Sequence, residues 1–239
     1  ESVRGVSFSV RGGEIFGIAG VSGNGQRELT EVVVGLREAI SGHVVLRGAD
    51  VTNSPPYEIL PRGVAYIPEE RNRDAAINDF SVAENLVLKR QRDPMITRSG
   101  ILMVPERIDG LAKRLIDEFD VRTPSVKTAA VSLSGGNLQR MILARELSDK
   151  PDLIVAGQPT RGLDIAATEY VRRKLVEMRN AGAAVLLVSE DLDEVLTLSD
   201  TVGVMYKGEL VGIFQPQEVS VEDVGLMMTG VKRMEAVAS

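Results

Sequence analysis

Apolar residues follow two periods in the first part of the chain. Val6, Phe8 and Val10 alternate with polar residues, which predicts a half-buried strand over 3–10, and an apolar run predicts a buried strand over 15–19. A glycine-rich segment follows. The spacing then becomes that of one face of a helix, carried by Leu29, Val32, Val33 and Leu36. A strand, a glycine loop and a helix in this order form the unit that builds phosphate sites in α/β proteins.

The middle of the chain, from about 72 to 150, is predicted to be mostly helical. Ser81 and Glu84 have the spacing of a capping box, in which each side chain bonds the backbone N–H of the other residue at the start of a helix. Helical stripes of apolar residues occur twice more, at Ile108, Leu111, Leu115 and Phe119 and at Leu138, Met141 and Ile142.

Strand patterns return in the last third of the chain. Continuous apolar runs at 153–156 and 184–188 are typical of strands buried on both faces, as in parallel sheets. A helical stripe over 171–178 predicts the crossover between them. Earlier in the chain, 44–50 predicts a hairpin and 64–67 a further strand. These elements together predict a mixed α/β core with a helical insertion.

Composition excludes several classes of function. The 239 residues include 28 Lys and Arg against 34 Asp and Glu, and a net charge of −6 offers no basic surface for nucleic acid. Cysteine is absent, so there are no disulfides and no cysteine nucleophile. His43 is the single histidine and is predicted to be an exposed hairpin residue rather than a zinc ligand or catalytic base. No apolar run approaches the roughly 20 residues that span a bilayer.

An acidic cluster near the end of the last predicted strand has two interpretations. It could suggest a metal site, but acidic side chains also favour the first turn of a helix, where they interact with the helix dipole. We expect the helix start, at Asp191, Asp193 and Glu194.

Three segments carry candidate chemistry. The first has the G-x-x-x-x-G spacing of a phosphate-binding loop, in which backbone N–H groups surround phosphate oxygens. Its candidate binding residues are Gly20, Ser22, Gly23, Asn24, Gly25, Gln26 and Arg27. Taken alone, this segment is equally compatible with a glycine turn.

The second segment opens a predicted helix with Ser134, Gly135, Gly136 and Asn137. Ser134 is a good N-cap and the two glycines would let a ligand approach the backbone, although a plain capped helix start explains the same residues. In the third segment, the strand at 153–156 ends in polar residues and Asp164 follows, at the edge where open α/β sheets bind ligands.

In this order and spacing, the segments resemble the nucleotide-binding domain of ATP-binding-cassette (ABC) transporters over nearly the whole chain. Leu133–Gln139 is similar to the family's signature motif, with Asn137 where glutamine is commoner. Gly20–Arg27 is similar to its Walker A loop, and 159–164 to the end of its Walker B motif and its D-loop. The stretch 185–191 is similar to the strand that leads to the family's switch histidine.

The resemblance implies a P-loop NTPase α/β fold with an antiparallel β subdomain and a helical insertion. It implies one domain over 1–239, with the insertion at about 72–150. Because Glu1 lies directly before a predicted strand and is not a start methionine, we expect a C-terminal fragment of a longer chain.

Some stretches are similar to a narrower group, the second cassette of fused double-cassette ATPases that import simple sugars or nucleosides. They are 20–26, 67–71 and 158–164. This resemblance implies MgATP as ligand, another cassette fused upstream and transmembrane permease subunits as partners, and an extracytoplasmic solute-binding protein as an indirect one. It also implies a peripheral location on the cytoplasmic face of the membrane, and the acidic composition predicts no nucleic-acid partner.

Several positions depart from the family's pattern. Gln26 replaces the phosphate-binding lysine, and Arg27 replaces the hydroxyl residue that holds Mg²⁺. Gly157 and Gln158 stand where the family has the Walker B aspartate and the catalytic glutamate, and an amide cannot act as a general base. Two glutamates replace the switch histidine and the Q-loop glutamine, at Glu190 and Glu69.

These departures imply that the chain has no catalytic residue or metal ligand of its own and binds ATP weakly or not at all at its Walker A loop. The intact signature residues and Asp164 would instead complete the ATP site of a partner cassette. Whether the chain counts as an enzyme therefore depends on the whole complex. Two alternatives stay open, an ABC ATPase that acts in repair or translation, and a regulatory binding module that never binds nucleotide.

Overall fold

The computed structural model describes residues 2–234. Their fold consists of two compact units. Within the described residues, the first comprises 2–66, 150–158 and 174–234, and the second comprises Ile67–Asp149 and Pro159–Arg173.

A six-stranded sheet forms the centre of the first unit. The strands in chain order are β1 (Ile15–Ala19), β2 (Val45–Leu46), β3 (Ala49–Asp50), β4 (Val64–Ile67), β5 (Thr97–Arg98), β6 (Leu102–Met103), β7 (Leu153–Gly157), β8 (Ala184–Ser189), β9 (Thr201–Tyr206) and β10 (Glu209–Phe214). The order in the large sheet is β10-β9-β1-β8-β7-β4. Strand β1 pairs parallel with β8 and β9, and β7 pairs parallel with β8. Only the β9–β10 pair among the described registers of this sheet is antiparallel.

The central strands are buried on both faces, as their continuous apolar sequences predict. Every residue of β1 and β8 is buried. The predicted strands at 15–19, 64–67, 153–156 and 184–188 are therefore confirmed. The predicted hairpin at 44–50 is confirmed as the two-stranded β2–β3 sheet.

Eight α-helices are described in residues 2–234. They are α1 (Gln26–Val33), α2 (Pro56–Ile59), α3 (Val82–Leu86), α4 (Pro105–Glu118), α5 (Gly135–Leu147), α6 (Ile165–Asn180), α7 (Leu192–Leu198) and α8 (Val221–Met228). The capping box predicted for α3 is present, because Ser81 Oγ accepts the Glu84 N–H at 3.2 Å and Glu84 Oε2 accepts the Ser81 N–H at 2.8 Å. Hydrogen bonds from Ser81 lower the pKa of Glu84.

The strand predicted over 3–10 is wrong. Val6, Phe8 and Val10 do alternate and pack partly buried against the core of the first unit, and Phe8 stacks on Phe16 with 4.9 Å between ring centroids. The segment is not assigned as a strand, however. An alternating pattern reports which side chains are buried, and it does not supply a neighbouring strand for the backbone.

Two further expectations need correction. The stretch 72–150 also contains the β5–β6 hairpin, which turns at Ser99 and Gly100 with φ angles of 56° and 71°. The helical face after the glycine loop is shorter than predicted, because α1 ends at Val33 and Leu36 is 58% exposed. Gly35, with a φ of 75°, takes the left-handed conformation that commonly ends a helix.

None of the helices in residues 2–234 combines the length and the apolar character needed to cross a lipid bilayer.

Candidate functional site

Three neighbouring parallel strands of the first unit end at one edge of the sheet. Ala19 at the end of β1 is in register with Ser189 at the end of β8, and Gly157 at the end of β7 is in register with Val188. The residues that follow these strands are Gly20, Glu190 and Gln158. The structure thus brings together, at the carboxyl edge where α/β sheets bind ligands, the three positions predicted to correspond to the Walker A loop, the switch histidine and the Walker B motif.

The glycine loop depends on backbone angles that favour glycine. Gly23 and Gly25 have φ angles of 84° and 101°. Gly25 is the N-cap of α1 and, having no side chain, cannot accept a hydrogen bond from the first turn of the helix as other N-cap residues do. A Cβ atom on Gly25 would lie 2.2 Å from the Ser2 carbonyl oxygen, so even alanine does not fit without a shift of the backbone. Such a loop before a helix can form a concave nest of N–H groups for an anion.

The side chain of Gln26 folds back into this loop. It is 7% exposed, its Oε1 accepts the Asn24 N–H at 3.1 Å, and its Nε2 donates to the Val21 carbonyl at 3.0 Å. A Cβ on Gly20 would come within 2.5 Å of Nε2. Gly20 is therefore needed to make room for the Gln26 amide.

Asn24 fixes the loop to the turn between β9 and β10. Its Nδ2 donates to the Val21 carbonyl at 2.8 Å, and its Oδ1 accepts the Lys207 N–H at 2.7 Å. Its carbonyl accepts the Gly208 N–H at 2.9 Å. This support could not be predicted, because Lys207-Gly208 is recognisable as a turn but nothing in the local sequence places it beside residue 24.

Arg27 is engaged with its own helix. Its Nε donates to Glu31 Oε1 at 2.8 Å, and Arg37 donates to the other oxygen of the same carboxylate at 2.9 Å. Partial burial alone would raise the pKa of Glu31, but the hydrogen bonds from Arg27 and Arg37 outweigh it and the net pKa is lowered. Arg27 therefore contributes a paired guanidinium where a Mg²⁺ site would need an oxygen.

At the ends of β7 and β8, one amide joins two strands. The Gln158 N–H donates to the Val188 carbonyl at 2.7 Å, and its side-chain Oε1 accepts the Glu190 N–H at 3.2 Å. Gln158 has a φ of 46°, an uncommon conformation for a residue with a side chain and one that is concentrated at functional sites. Here the side chain carries an amide and serves as a hydrogen-bond bridge.

No group of three or more His, Cys, Asp or Glu residues within 2–234 is arranged to hold a metal ion. The acidic cluster after β8 is a helix start, as predicted. Asp191 is the N-cap of α7, and its Oδ1 accepts the Glu194 N–H at 3.2 Å.

His43 is the exposed hairpin residue that the sequence predicts. Its side chain is 75% exposed, and its Nδ1 lies 2.9 Å from Asp50 Oδ2. Hydrogen bonds from Thr52 and then from His43 lower the pKa of Asp50 to about 2. This pair lies on the β2–β3 hairpin.

The remaining predicted residues form a second cluster, in the second unit. Ser134 is the N-cap of α5. Its Oγ accepts two hydrogen bonds from Asn137, from the backbone N–H at 3.4 Å and from the side-chain Nδ2 at 3.0 Å. Asn137 is itself held, because its Oδ1 accepts the Arg122 N–H at 2.9 Å. Two acceptor bonds use the lone pairs of the Ser134 oxygen, and the capacity that remains is donation of its proton.

The two signature glycines differ in their surroundings. A Cβ on Gly136 would lie 3.1 Å from the Ala167 Cβ, which is tighter than ordinary contact. A Cβ on Gly135 would lie 3.5 Å from Arg71 Nη1 and 4.0 Å from Leu163 Cδ2, both ordinary distances. Packing within the unit therefore accounts for glycine at 136 and leaves glycine at 135 without a packing reason.

Asp164 and its neighbours complete this cluster. Asp164 Oδ1 accepts the Ala167 N–H at 2.8 Å and so caps the start of α6. The preceding Arg161 forms an ion pair with Glu69, and its carbonyl accepts a hydrogen bond from the Arg71 guanidinium. Burial lowers the pKa of Arg71. The links from 69–71 to Arg161 were not predicted, since about 90 residues separate the partners.

Comparison with known proteins identifies the fold and the family. A family model described as "ABC transporter" matches residues 3–161, more than half of the chain. The fold resembles that of a nucleotide-free ATP-binding cassette from an ABC transporter, with a TM-score of 0.77 at 21% identity over 98% of this chain and 93% of that one. It also resembles a dimeric cassette bound to ADP and Pi, with a TM-score of 0.74 at 21% identity and 90% coverage of both chains. The predicted ABC ATPase fold is confirmed.

Curated relatives are closer in sequence. The Guanosine import ATP-binding protein NupO of Bacillus subtilis is 44% identical over 236 residues, which are 99% of this chain and 46% of NupO. The Glucose import ATP-binding protein TsgD13 of Haloferax volcanii is 45% identical over 232 residues, or 96% of this chain and 42% of the relative. The chain thus spans about half the length of the curated relatives it matches.

Proposed function

This chain belongs to the ABC transporter family, and from that premise we propose that it is one ATP-binding cassette of an importer for nucleosides or simple sugars. In this proposal its Walker A loop is degenerate, and its signature residues complete the ATP site of a partner cassette.

The residues at the carboxyl edge of the sheet, in the glycine loop and after β7, support a degenerate site. Gln26 brings no positive charge to the loop, and a hydrogen bond to a charged group is worth about 1.5–3 kcal/mol. Gly157 has no side chain, and the amide of Gln158 cannot take a proton from water. Arg27 is bonded to Glu31 rather than offering an oxygen. These residues do not fit a bound Mg²⁺ ion, so we derive no hydrolytic step at this loop.

The second cluster fits a phosphate group. The Ser134 hydroxyl has its lone pairs occupied by Asn137 and a proton left to donate. It stands at the N-terminus of the 13-residue helix α5, where the helix dipole favours an anion. Gly135 exposes bare backbone beside it without any packing need. This arrangement of Ser134, Gly135 and Asn137 is the observation that carries the proposal.

Partners follow from the same premise. Curated relatives named as import ATP-binding proteins, about twice the length of this chain, support a second cassette and a transmembrane permease as partners. A peripheral site on the cytoplasmic face of the membrane and an indirect extracytoplasmic solute-binding protein belong to the same proposal. We further propose a single cassette over 1–239 with a helical insertion at about 72–150. The compared relatives give no support to an ATPase of repair or translation, or to a nucleotide-free module.

Phosphate release by the purified chain tests the degenerate site. With MgATP we expect no more than the background rate, because the lysine, both Walker B carboxylates and the switch histidine are absent together. Gln26→Lys alone should leave this rate unchanged, since catalytic groups that act as a unit are strongly non-additive. Turnover near about 1 s⁻¹, within the usual enzyme range, would refute the proposal.

A further inference from the structure

We propose that Gln26 is an internal ligand of the glycine loop, whose side-chain amide occupies an anion-binding N–H and competes with the phosphates of a nucleotide. This inference rests on the proposal that Gly20–Arg27 is a phosphate loop whose catalytic groups have been lost.

The chemistry of an amide differs from that of lysine in a way that matters here. An ammonium group has three donors and no acceptor, so it can satisfy a carbonyl such as that of Val21 but cannot accept from an N–H. The Gln26 amide does both, donating to Val21 and accepting from Asn24. Glutamine at this position therefore removes a positive charge and also adds a competitor for the Asn24 N–H.

Three further hydrogen bonds hold Asn24 in the position in which its N–H bonds Gln26. The Asn24 side chain bonds the Val21 carbonyl on one side and the Lys207 N–H on the other, and its carbonyl accepts from Gly208. A phosphate that is to receive the Asn24 N–H must therefore displace the Gln26 oxygen. The Gln26 side chain is buried in the loop, at 7% exposure. Its displacement would therefore also cost the free energy of leaving its polar atoms without hydrogen bonds.

The two possible roles of Gln26 predict opposite effects of its removal on anion binding. If Gln26 only stabilised the loop, its removal would weaken anion binding or leave it unchanged. If Gln26 competes with the anion, replacing it by an apolar side chain of similar length should strengthen anion binding, because the Asn24 N–H is then left for the phosphate.

Calorimetric titration of the chain with inorganic triphosphate, and separately with MgATP, tests this. We expect Gln26→Met to bind triphosphate about 2-fold to 10-fold more tightly than wild type, the ratio that corresponds to one neutral hydrogen bond. Gln26→Lys should bind more tightly still, because it frees the same N–H and adds a charge. Gln26→Glu is the matched control, since it keeps the acceptor oxygens, adds a negative charge and should bind more weakly than wild type.

The Asn24 amide gives a second readout by NMR. Its N–H signal should move in Gln26→Met without ligand and move again as triphosphate is added. If Gln26→Met loses cooperative melting, Gln26→Ala removes the same polar atoms without added bulk and carries the same test. Equal or weaker binding by the apolar variant, or no binding by any variant, overturns the inference. Neither outcome bears on the signature cluster, whereas ATP hydrolysis by the wild-type chain would overturn the proposed function instead.

Discussion

The glycine loop before α1 and the signature segment before α5 have similar residue composition but differ in how the first residue of the following helix is used. Each places small and polar residues ahead of a helix. In the loop, the first helical residue is Gln26, and its side chain returns to bond the backbone N–H of Asn24. At the signature segment, the first helical residue is Gly135, which has no side chain to return.

One residue type at the first helical position thus separates a loop whose Asn24 N–H is already bonded by a side chain from a helix start whose first residue carries no side chain. Gln26 uses an N–H that a phosphate could otherwise receive. The Ser134 Oγ accepts two hydrogen bonds from Asn137, so its hydroxyl can still donate its proton to a ligand. Glycine content alone therefore does not make a phosphate site, because the polar side chains beside the glycines decide whether the N–H groups are already bonded.

The largest effect should come from a charge at the start of α5. In the intact transport complex, Gly135→Asp should lower steady-state ATPase activity by at least about 100-fold, since a carboxylate opposes the charge stabilised during phosphoryl transfer. Gln26→Ala in the same complex should stay within about twofold of wild type, because glutamine already lacks the charge of lysine. Similar losses in both variants would mean that the two regions contribute equally.

Folding of the signature variants provides the control for this experiment. Gly135→Ala should raise the free energy of unfolding by up to about 1 kcal/mol, because its Cβ meets only ordinary contacts and alanine lowers the conformational entropy of the unfolded chain. Gly136→Ala should be less stable than Gly135→Ala by about 1 kcal/mol, because its Cβ would lie 3.1 Å from the Ala167 Cβ, which is tighter than ordinary contact. Denaturant unfolding of both variants measures the difference.

A smaller effect should separate the capping role of Ser134 from its proposed role toward phosphate. Ser134→Ala removes the N-cap of α5 and should lower the free energy of unfolding by about 1 kcal/mol. Ser134→Asp preserves a good cap and should unfold like wild type, yet its negative charge should reduce the ATPase activity of the complex more than alanine does. An aspartate variant with unimpaired activity would show that Ser134 acts only as a cap.

The smallest effect concerns the carboxylate that engages Arg27. The pKa of Glu31 is lowered in the folded chain, so its contribution to stability is present above its ordinary unfolded pKa of about 4.3 and is lost as the pH falls through the lower folded value. Denaturant unfolding of wild type and Glu31→Gln at several pH values measures this. The difference between the two should be constant near neutral pH and should shrink below about pH 4.3. A difference that persists to the lowest pH would show that the ion pairs with Arg27 and Arg37 do not stabilise the fold.

Features that arise within a few residues were predictable from the amino-acid pattern. The buried strands at 15–19 and 184–188 follow from continuous apolar runs, and the capping box of α3 follows from the spacing of Ser81 and Glu84. The candidate segments were likewise recognisable by their local spacing, because glycines and caps act on neighbouring backbone.

Contacts between groups far apart in the chain were not predictable from local patterns. The alternation over 3–10 was visible, but whether a strand lies beside it depends on the rest of the sheet. Asn24 accepts a hydrogen bond from the Lys207 N–H, 183 residues away, and Arg161 donates to the Glu69 carboxylate, 92 residues away. The hydrogen bonds of the Gln26 side chain to Asn24 and Val21 span only two and five residues and were still missed, because they need the space left by Gly20 and a loop held by the β9–β10 turn. Patterns along a chain report local preference and burial, whereas partners are chosen when separate segments are packed together and their polar groups must be satisfied.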